Sequence, residues 1–321
     1  MRPIRAYAPA SIGNFAAGFD MLGAALAPLD GSLLGDVVEL RPAQPGEALL
    51  TVVGPFAGQI PGPIEKNLVL RSAEIFRQAV GEPPAGTPLW AFTLEKRLPV
   101  NSGLGSSASS IVAALVALQA AEGEPLGWSE LLELAGRAEG FYSGGVHLDN
   151  VGPSLGGGLQ LIVPGRRENQ MHTTRALPWF EDLVVVVIHP DCELPTAKAR
   201  AVLPKEVPMP LTVAWGQNLG AFVHAMHVRD RGLFAVCLRD LLVEPYRAAL
   251  VPGFAQAKAA AMKEGAFGCS LSGSGPSTFA VAGNEAAAAR IRAAMQEAFR
   301  NAGLDSQAWI CGLDAQGARV L

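Results

Sequence analysis

The sequence feature that most constrains the fold is a glycine- and serine-rich segment, residues 99–108, that leads directly into an apolar stretch. The segment consists of Pro99, Val100, Asn101, Ser102, Gly103, Leu104, Gly105, Ser106, Ser107 and Ala108. The alanine, leucine and valine residues that follow predict a helix over 106–122. Glycine lets a backbone approach a ligand closely, and a helix N-terminus presents unpaired N–H groups with a partial positive charge. The segment therefore predicts a phosphate-binding loop.

The two serines that begin this helix leave two interpretations open. Ser106 and Ser107 place hydroxyls where a phosphate or Mg²⁺ would sit, whereas the alternative is a serine-capped helix after a flexible turn. The segment is not a Walker A loop, because that motif requires a lysine after its last glycine and Ser106 follows Gly105.

A second cluster of small residues lies near the start of the chain, over residues 9–23. It surrounds two isolated polar side chains, Asn14 and Asp20. An amide and a carboxylate together are suited to an ammonium and a hydroxyl of a substrate. The alternative is that Asn14 caps a turn and Asp20 starts a helix, because both residue types favour those positions.

A third cluster, residues 268–277, contains Gly273, Ser274 and Gly275 and leads into a predicted strand over 277–282. Its glycines suit a tight loop that brings backbone N–H groups to an anion. A plain connection between two strands is the alternative.

The rest of the chain predicts an α+β protein of two domains that share a cleft. A length of 321 residues favours two domains, and strands and helices follow one another without regular βαβ alternation. We expect helices over 67–80 and over 129–141, with Ser129 as the N-cap of the second, and a buried strand over 183–188. The polar stretch 164–182 is the expected junction, which gives domains 1–165 and 166–321.

Composition excludes several classes of protein. The net charge is -4 and charged residues are 17% of the chain, so neither a nucleic-acid partner nor a membrane-surface partner is expected. No apolar run approaches the roughly 20 residues of a membrane span. The four cysteines, Cys192, Cys237, Cys269 and Cys311, fit no metal or disulfide spacing, so free thiols and a cytoplasmic location are expected.

The three clusters, in this order, resemble the GHMP kinases, the superfamily named for galactokinase, homoserine kinase, mevalonate kinase and phosphomevalonate kinase. Within this superfamily, bacterial homoserine kinases are the most similar, over residues 8–25, 147–151, 196–200, 244–247 and 252–254. The resemblance covers essentially the whole chain. It implies an N-terminal domain like the second domain of ribosomal protein S5, a C-terminal ferredoxin-like sandwich, and an active site in the cleft between them.

The resemblance also implies a reaction, in which ATP phosphorylates the hydroxyl of L-homoserine to give O-phospho-L-homoserine, a step toward threonine. The loop 99–108 and residues 273–275 then bind ATP, and Ser107 and Glu139 hold Mg²⁺. The residues implied to bind homoserine are Asn14, Asp20, Asn150, Thr196, Arg200 and Arg247. Dimerisation is common in the family, so a homodimer is the expected assembly.

Two departures from the family pattern bear on mechanism. Some related kinases have an aspartate base near the position of Asn150, and an amide cannot accept a proton. The hypothesis is therefore transfer without a dedicated base, with Asn150 orienting the hydroxyl and the adjacent Asp149 as the alternative. Asn101 stands where glycine is more usual, but asparagine tolerates a left-handed backbone.

Three alternative hypotheses for the function remain open. A kinase of the same superfamily acting on another alcohol would leave Arg200 and Arg247 without an obvious partner. A nucleotide-binding sensor would have no need of Ser107 and Glu139. A structural or RNA-binding module has the fold as its only support, and fold does not imply function.

Overall fold

A computed structural model describes residues 2–81, 89–143, 146–165 and 172–321. The strands are β1 (Ile4–Pro9), β2 (Ser11–Gly13), β3 (Leu22–Pro28), β4 (Gly35–Pro42), β5 (Leu50–Val53), β6 (Trp90–Glu95), β7 (Leu159–Val163), β8 (Thr173–Leu177), β9 (Val184–Pro190), β10 (Gly268–Leu271), β11 (Thr278–Ala282), β12 (Ser306–Leu313) and β13 (Arg319–Val320). The helices are α1 (Leu68–Val80), α2 (Ser106–Ala121), α3 (Trp128–Ser143), α4 (Leu148–Gly156), α5 (Thr196–Ala201), α6 (Met209–Val228), α7 (Arg231–Cys237), α8 (Glu244–Arg247), α9 (Phe254–Lys263) and α10 (Glu285–Asn301). The mixture confirms the predicted α+β class.

The first sheet has five strands in the order β13-β1-β4-β6-β5. Its β5–β6 pair is parallel and its other pairs are antiparallel. Helix α2 packs on β1 and β4, and α1 and α3 pack beside α2. Because α2 is covered on nearly all sides, apolar residues fill most of its circumference, as expected for a buried helix. The predicted phosphate-binding loop is therefore anchored to the most buried helix of this layer.

The second sheet follows the order β10-β11-β9-β12-β3-β7-β8, with β2 paired to β3. It combines strands from both halves of the chain, since β3 and β7 come from the first half. In return, β13 from the C-terminal end adds to the first sheet. The polar stretch proposed as the domain junction contains β8, which pairs with β7. Its charged run at 166–170 lies outside the described residues.

Strand β9 is apolar over residues 184–188 because helices or loops cover both faces of its sheet. Val184, Val186 and Ile188 pack with residues of α9 and α10. Val185 and Val187 face the other side, toward α6, α7 and Phe15 of the second cluster. Successive side chains of a strand point to opposite faces, so a strand that is buried on both faces lacks polar alternation. The predicted buried strand is confirmed.

Backbone N–H groups at the starts of α1 and α3 are capped by side chains. Asn67 caps α1, and its Oδ1 accepts a hydrogen bond from Val69 N at 2.9 Å, as the predicted start of that helix requires. The prediction that Ser129 caps the next helix is wrong, because α3 begins at Trp128. There Glu130 Oε2 accepts from the Gly127 N–H at 2.8 Å and fills the capping role from inside the first turn.

All four cysteines are free thiols, as predicted. Across the described ranges, no helix is both long and apolar enough to cross a membrane.

Candidate active site

A cleft of about 600 Å³ brings the three glycine-rich clusters together. It opens in front of the N-terminus of α2 and extends toward α4, α5 and α8. The predicted site residues that line it are Asn14, Asp20, Asn101, Ser102, Gly103, Gly105, Ser106, Ser107, Glu139, Asn150, Thr196, Arg200, Arg247, Gly273 and Ser274. Residues more than 250 positions apart in the sequence thus share one cavity, and the predicted phosphate and acceptor ends are adjacent.

Four predicted site residues do not face the cleft. Leu104 and Ala108 are fully buried in the two hydrophobic cores that flank the loop. Gly275 faces apolar side chains, and Pro99 is buried at the start of the loop. These residues can therefore contribute to the site through their backbone atoms, which shape the loops, and not through side chains.

The loop before α2 has a left-handed backbone at three positions. Asn101 has φ of +57°, which agrees with the expectation that asparagine would tolerate this conformation. Gly103 has φ of +77° and Gly105 has φ of +64°. A Cβ on Gly105 would lie 2.1 Å from Ser11 Oγ, and a Cβ on Gly103 would lie 2.4 Å from Ser272 O. Both the conformation and the space therefore require glycine at these two positions.

The N-terminus of α2 offers hydrogen-bond donors to the cleft. Gly105 is its N-cap and supplies no side-chain acceptor. The Gly105 carbonyl accepts the first helical hydrogen bond, from Ser109 N at 2.8 Å. The N–H groups of Ser106, Ser107 and Ala108 precede that bond, so the helix itself has no acceptor for them. This arrangement, with the positive end of the helix dipole, is suited to a phosphate group.

The third cluster holds the loop in place from the side. Ser272 Oγ donates to Gly103 O at 2.6 Å, and Ser277 N donates to Ser102 O at 3.1 Å. His189 on β9 lies behind this contact, with Nδ1 3.0 Å from Ser277 Oγ. The second cluster contributes a further bond from Ser11 N to Leu104 O at 3.0 Å. The loop is thus fixed on two sides before any ligand binds.

A buried ion pair beneath the loop was not predicted. Lys96 and Asp36 are almost completely buried and form a salt bridge. Lys96 Nζ also donates to Ser106 O at 2.8 Å, which ties it to the first turn of α2. Asp36 Oδ1 accepts from the backbone N–H groups of Arg97 and Leu98 at 2.8 and 3.1 Å. Removing either partner would leave an uncompensated buried charge under the phosphate-binding loop.

Ser107 and Glu139 meet at one wall of the cleft. Ser107 Oγ donates to Glu139 Oε1 at 2.8 Å, and burial raises the pKa of Glu139. Hydroxyl and carboxylate oxygens are ligands that Mg²⁺ accepts. Within the described ranges, no group of three or more His, Cys, Asp or Glu side chains is arranged to hold a metal. Two protein oxygens nonetheless fit Mg²⁺, which usually binds through one or two carboxylates together with substrate phosphates and water.

Asn14 organises the opposite wall. Its Nδ2 donates to Gly273 O at 3.1 Å and its Oδ1 accepts from Asp20 N at 3.0 Å. Its own N–H donates to Asp149 Oδ2 at 3.2 Å. The backbone N–H, the Nδ2 and the Oδ1 of Asn14 each have a protein partner, so Asn14 positions its neighbours. Asn14 therefore lines the cleft and also stabilises a turn, which was the alternative role predicted for it.

Asp20 lies in a small group of charges at the acceptor end. Arg200 Nη2 is 3.4 Å from Asp20 Oδ1 and 3.2 Å from Nδ1 of His147. Burial alone would raise the pKa of Asp20, but His147 and Arg200 outweigh it and hold that pKa below its ordinary value. His147 carries no recognisable signal in the sequence beyond its place beside Asp149 and Asn150.

Two arginines converge on the same end of the cleft. Arg247 is only 2% exposed, and its Nε and Nη1 donate to Ala199 O and Gly273 O at 3.1 and 3.0 Å. Burial and the nearby charge of Arg200 both lower the pKa of Arg247. Arg200 Nε is buried and has no hydrogen-bond partner among the described residues. Two cations that repel each other and retain free donors form a site for an anion.

Thr196 begins α5 at the boundary between the two ends of the cleft. Its Oγ1 lies 3.4 Å from Ser274 Oγ of the third cluster. The two hydroxyls are thus near both the phosphate-binding loop and Arg200, which lies on the same helix.

Asn150 and Asp149 lie at the N-terminus of α4, between the two ends of the cleft. Ser11 Oγ donates to Asn150 Oδ1 at 2.9 Å, so the amide Nδ2 remains to donate to a ligand. Burial, followed by the charge of Asp20, raises the pKa of Asp149 to about 7. A Cβ on Gly13 would lie 2.4 Å from Asp149 Oδ2 and 2.6 Å from Asn150 Nδ2, so only glycine leaves room for both.

Comparison with known families agrees with this geometry. Residues 67–158 match the GHMP kinases N terminal domain, and residues 222–301 match the GHMP kinases C terminal domain. The first match contains the phosphate-binding loop, Glu139 and Asn150. The second contains Arg247 and the third cluster.

Solved structures resemble the chain over its full length. A homoserine kinase from Cytophaga hutchinsonii is 34% identical, with a TM-score of 0.90 and coverage of 100% of this chain and 98% of that one. A putative homoserine kinase from Listeria monocytogenes shares the fold at 22% identity and a TM-score of 0.71, covering 99% of each chain. A mevalonate kinase from L. major, solved in complex with R-mevalonate, shares it at 17% identity and a TM-score of 0.69, covering 97% of this chain and 95% of that one. This chain belongs to the GHMP kinases, a family of small-molecule kinases that use ATP.

Proposed function

We propose that this protein is a homoserine kinase, which transfers the γ-phosphoryl group of ATP to the hydroxyl of L-homoserine in a step toward threonine. The observation that carries the proposal is the pair of arginines, Arg200 and Arg247, at the acceptor end of the cleft. L-Homoserine has a carboxylate, an ammonium and a hydroxyl. The cleft offers the two arginines for the carboxylate, Asp20 for the ammonium and Asn150 for the hydroxyl. The 34% identity to a homoserine kinase supports the same substrate.

The phosphates of ATP bind, in this proposal, at the loop 99–108. Backbone N–H groups of Ser106, Ser107 and Ala108 donate to phosphate oxygens, and the dipole of α2 stabilises their negative charge. Gly273 and Ser274 approach from the opposite side, where Ser272 Oγ holds the Gly103 carbonyl. Phosphoryl transfer depends mainly on positioning and charge neutralisation, and a loop that is fixed before binding supplies both.

Ser107 and Glu139 would hold Mg²⁺ at the wall of the phosphate site. Bound there, Mg²⁺ would supply neutralisation of the negative charge on the phosphates during transfer. The chain's own contribution is to hold Ser107 Oγ and Glu139 Oε1 2.8 Å apart in a buried position next to the loop.

The acceptor binds through its charged groups at the other end. Arg200 and Arg247 bind the carboxylate, which relieves the repulsion between the two guanidinium groups. Asp20 binds the ammonium, since its low pKa keeps it ionised at neutral pH. Thr196 lies between this end and the phosphate loop. The amino acid is thereby fixed at both charged groups, which leaves its hydroxyl to point toward the phosphates.

Asn150 orients the hydroxyl, whose proton passes to an oxygen of the transferred phosphoryl group and not to a dedicated protein base. Ser11 holds the Asn150 carbonyl, so the amide Nδ2 donates to the hydroxyl oxygen and turns a lone pair toward phosphorus. Asp149 is the alternative base, because its pKa of about 7 is suited to proton transfer. Its Oδ2, however, already accepts the Asn14 N–H. We therefore assign Asp149 to positioning Asn14 within the second cluster.

Asn150→Ala is expected to lower kcat by about 100-fold, because one oriented hydrogen-bond donor at a reacting centre is worth roughly that much. Asp149→Asn keeps the shape and an acceptor for Asn14 and is expected to lower kcat by less than about tenfold. Steady-state rates from pH 5.5 to 9 separate the two roles. A carboxylate base with a pKa near 7 is protonated below that pH, so kcat would fall as the pH drops through 7.

If no base acts, kcat does not fall as the pH drops through 7, either in the wild-type protein or in Asp149→Asn. Loss of nearly all activity in Asp149→Asn, together with full activity in Asn150→Ala, would assign the base to Asp149 instead.

A kinase for another alcohol is the second candidate, because mevalonate kinases share the fold. The proposal predicts that purified protein with ATP, Mg²⁺ and L-homoserine releases ADP and forms a phosphate monoester that ³¹P NMR identifies as O-phospho-L-homoserine. ADP release without that ester would count against the proposed acceptor.

A further inference from the structure

Phe19 is an aromatic residue of the acceptor end that the proposed function does not use. Its side chain lines the cleft and is half-buried. It belongs to none of the three hydrophobic clusters that the described residues form. An aromatic side chain that is buried for packing alone normally joins such a cluster. The position of Phe19 therefore indicates a role in the cleft itself.

The ring of Phe19 faces the guanidinium group of Arg247. The Cζ atom of Arg247 lies over this ring, 5.5 Å from its centroid. The quadrupole of an aromatic ring attracts a cation over its face, and the attraction is stronger where water is excluded. Because Arg247 is only 2% exposed, water does not screen this contact.

Arg247 is a buried cation that has no ion pair with any described residue. Its Nε and Nη1 donate to two backbone carbonyls. Asp20, which follows Phe19 in the chain, lies beside Arg200 and His147 instead. A carboxylate next to Arg247 would neutralise its charge and compete with an anionic ligand. An aromatic face stabilises the same cation and occupies none of its N–H groups.

The turn that carries Phe19 is held in an unfavourable backbone conformation. Four of its residues other than glycine have φ between +37° and +66°: Asn14, Phe15, Ala16 and Asp20. Such angles persist only where the surrounding structure imposes them. Here Phe15 stacks on Phe279 with 5.1 Å between ring centroids, and Trp215 Nε1 donates to Ala17 O at 3.1 Å. Phe19 is therefore held in place before any ligand binds.

We propose that Phe19 is a positioning residue that gives the acceptor site its selectivity for a carboxylate. The ring covers one face of the Arg247 guanidinium and keeps it in one plane, so that its remaining N–H groups point toward the carboxylate of the acceptor. The inference rests on the proposed homoserine kinase function and adds to it the residue through which Arg247 is oriented.

Kinetics of Phe19→Leu with two acceptors test this role. Leucine keeps an apolar side chain and removes the aromatic face. The KM for L-homoserine is expected to rise about tenfold with kcat within about threefold, because the carboxylate does not take part in the transfer. The KM for 3-amino-1-propanol, which lacks the carboxylate, is expected to change less than about twofold. An unchanged KM for ATP shows that the variant is folded.

Two further variants make the result specific. Phe19→Tyr keeps the ring and is expected to keep the KM for L-homoserine within about threefold of the wild-type value. Phe141→Leu removes the ring of another such pair, in which Arg71 Cζ lies 4.7 Å from the ring centroid. Phe141 is 53% exposed and does not line the cleft, so this variant is expected to change neither acceptor's KM.

Calorimetric titration with L-2-aminobutyrate measures the same selectivity without turnover, because this compound has the charged groups of homoserine and no hydroxyl. Phe19→Leu is expected to weaken its binding about tenfold. An unchanged dissociation constant, or equal rises in KM for homoserine and 3-amino-1-propanol, overturns the role of Phe19 and leaves the kinase proposal standing. Wild-type protein that binds neither L-2-aminobutyrate nor L-homoserine overturns the proposed function and this inference with it.

Discussion

Replacing Arg200 with methionine is expected to lower kcat/KM for L-homoserine by roughly 1,000-fold, since a site built for a charged group loses much when its partner is removed. Arg200 Nη2 is 3.4 Å from Asp20, and its buried Nε has no partner in the described parts of the chain. The substrate carboxylate supplies that partner in our account. The KM for ATP is expected to change little, because Arg200 lies at the acceptor end.

A substrate without the carboxylate provides the control for this prediction. 3-Amino-1-propanol keeps the ammonium and the hydroxyl of homoserine, so wild-type protein should phosphorylate it slowly. Arg200→Met is expected to leave that slow rate within about threefold, because the lost interaction was never made. Arg290→Met removes an exposed arginine of α10 and should change neither rate. Equal losses with both acceptors would mean that Arg200 does not bind the carboxylate.

Gly105→Ala is expected to lower kcat/KM for ATP by at least about 100-fold, because a displaced phosphate site loses oriented donors. The new Cβ would lie 2.1 Å from Ser11 Oγ and 3.0 Å from Asn150 Oδ1. Both atoms belong to the contact that orients Asn150, so the start of α2 must shift or that contact must break. Steady-state kinetics with varied ATP measures the effect.

Gly123→Ala is the matched control. Gly123 follows α2 at its other end and has φ of +77°, so alanine there meets the same left-handed backbone cost of about 1 kcal/mol. An added Cβ at Gly123 would contact no atom of the described residues within 4 Å. We expect Gly123→Ala to lower the melting temperature by a few degrees and to leave kcat/KM unchanged. If Gly105→Ala behaved the same way, the loop would not need its observed shape to bind ATP.

Local patterns predicted the parts of this fold that local chemistry determines. The left-handed backbone of Asn101, the helix expected over 67–80 and the buried strand β9 each follow from residue type and spacing, and each is found. The start of α3 differs from the prediction because Glu130 performs from within the helix the role that was assigned to Ser129. Either residue type satisfies a free N–H group, so the sequence alone does not choose between them.

The long-range features could not be derived in this way. Lys96 and Asp36 are 60 residues apart, and only the pairing of β4 with β6 brings them together beneath the loop. Likewise, β3 and β7 join the second sheet through pairings that no local pattern specifies. His147 is recognisable as a neighbour of Asp20 and Arg200 only once α4 and α5 face each other across the cleft.

The measurement that tests the account most directly is a coupled ADP-release assay with ATP, Mg²⁺ and a panel of acceptors. The panel contains L-homoserine, L-serine, L-threonine, mevalonate and galactose, each assayed for kcat/KM. We predict that kcat/KM for L-homoserine exceeds that for the next acceptor by at least about 100-fold, because only homoserine combines both charged groups with a hydroxyl of the right reach. Preferential turnover of mevalonate or galactose would contradict the proposed acceptor site, and no turnover of any acceptor would contradict the proposed kinase function.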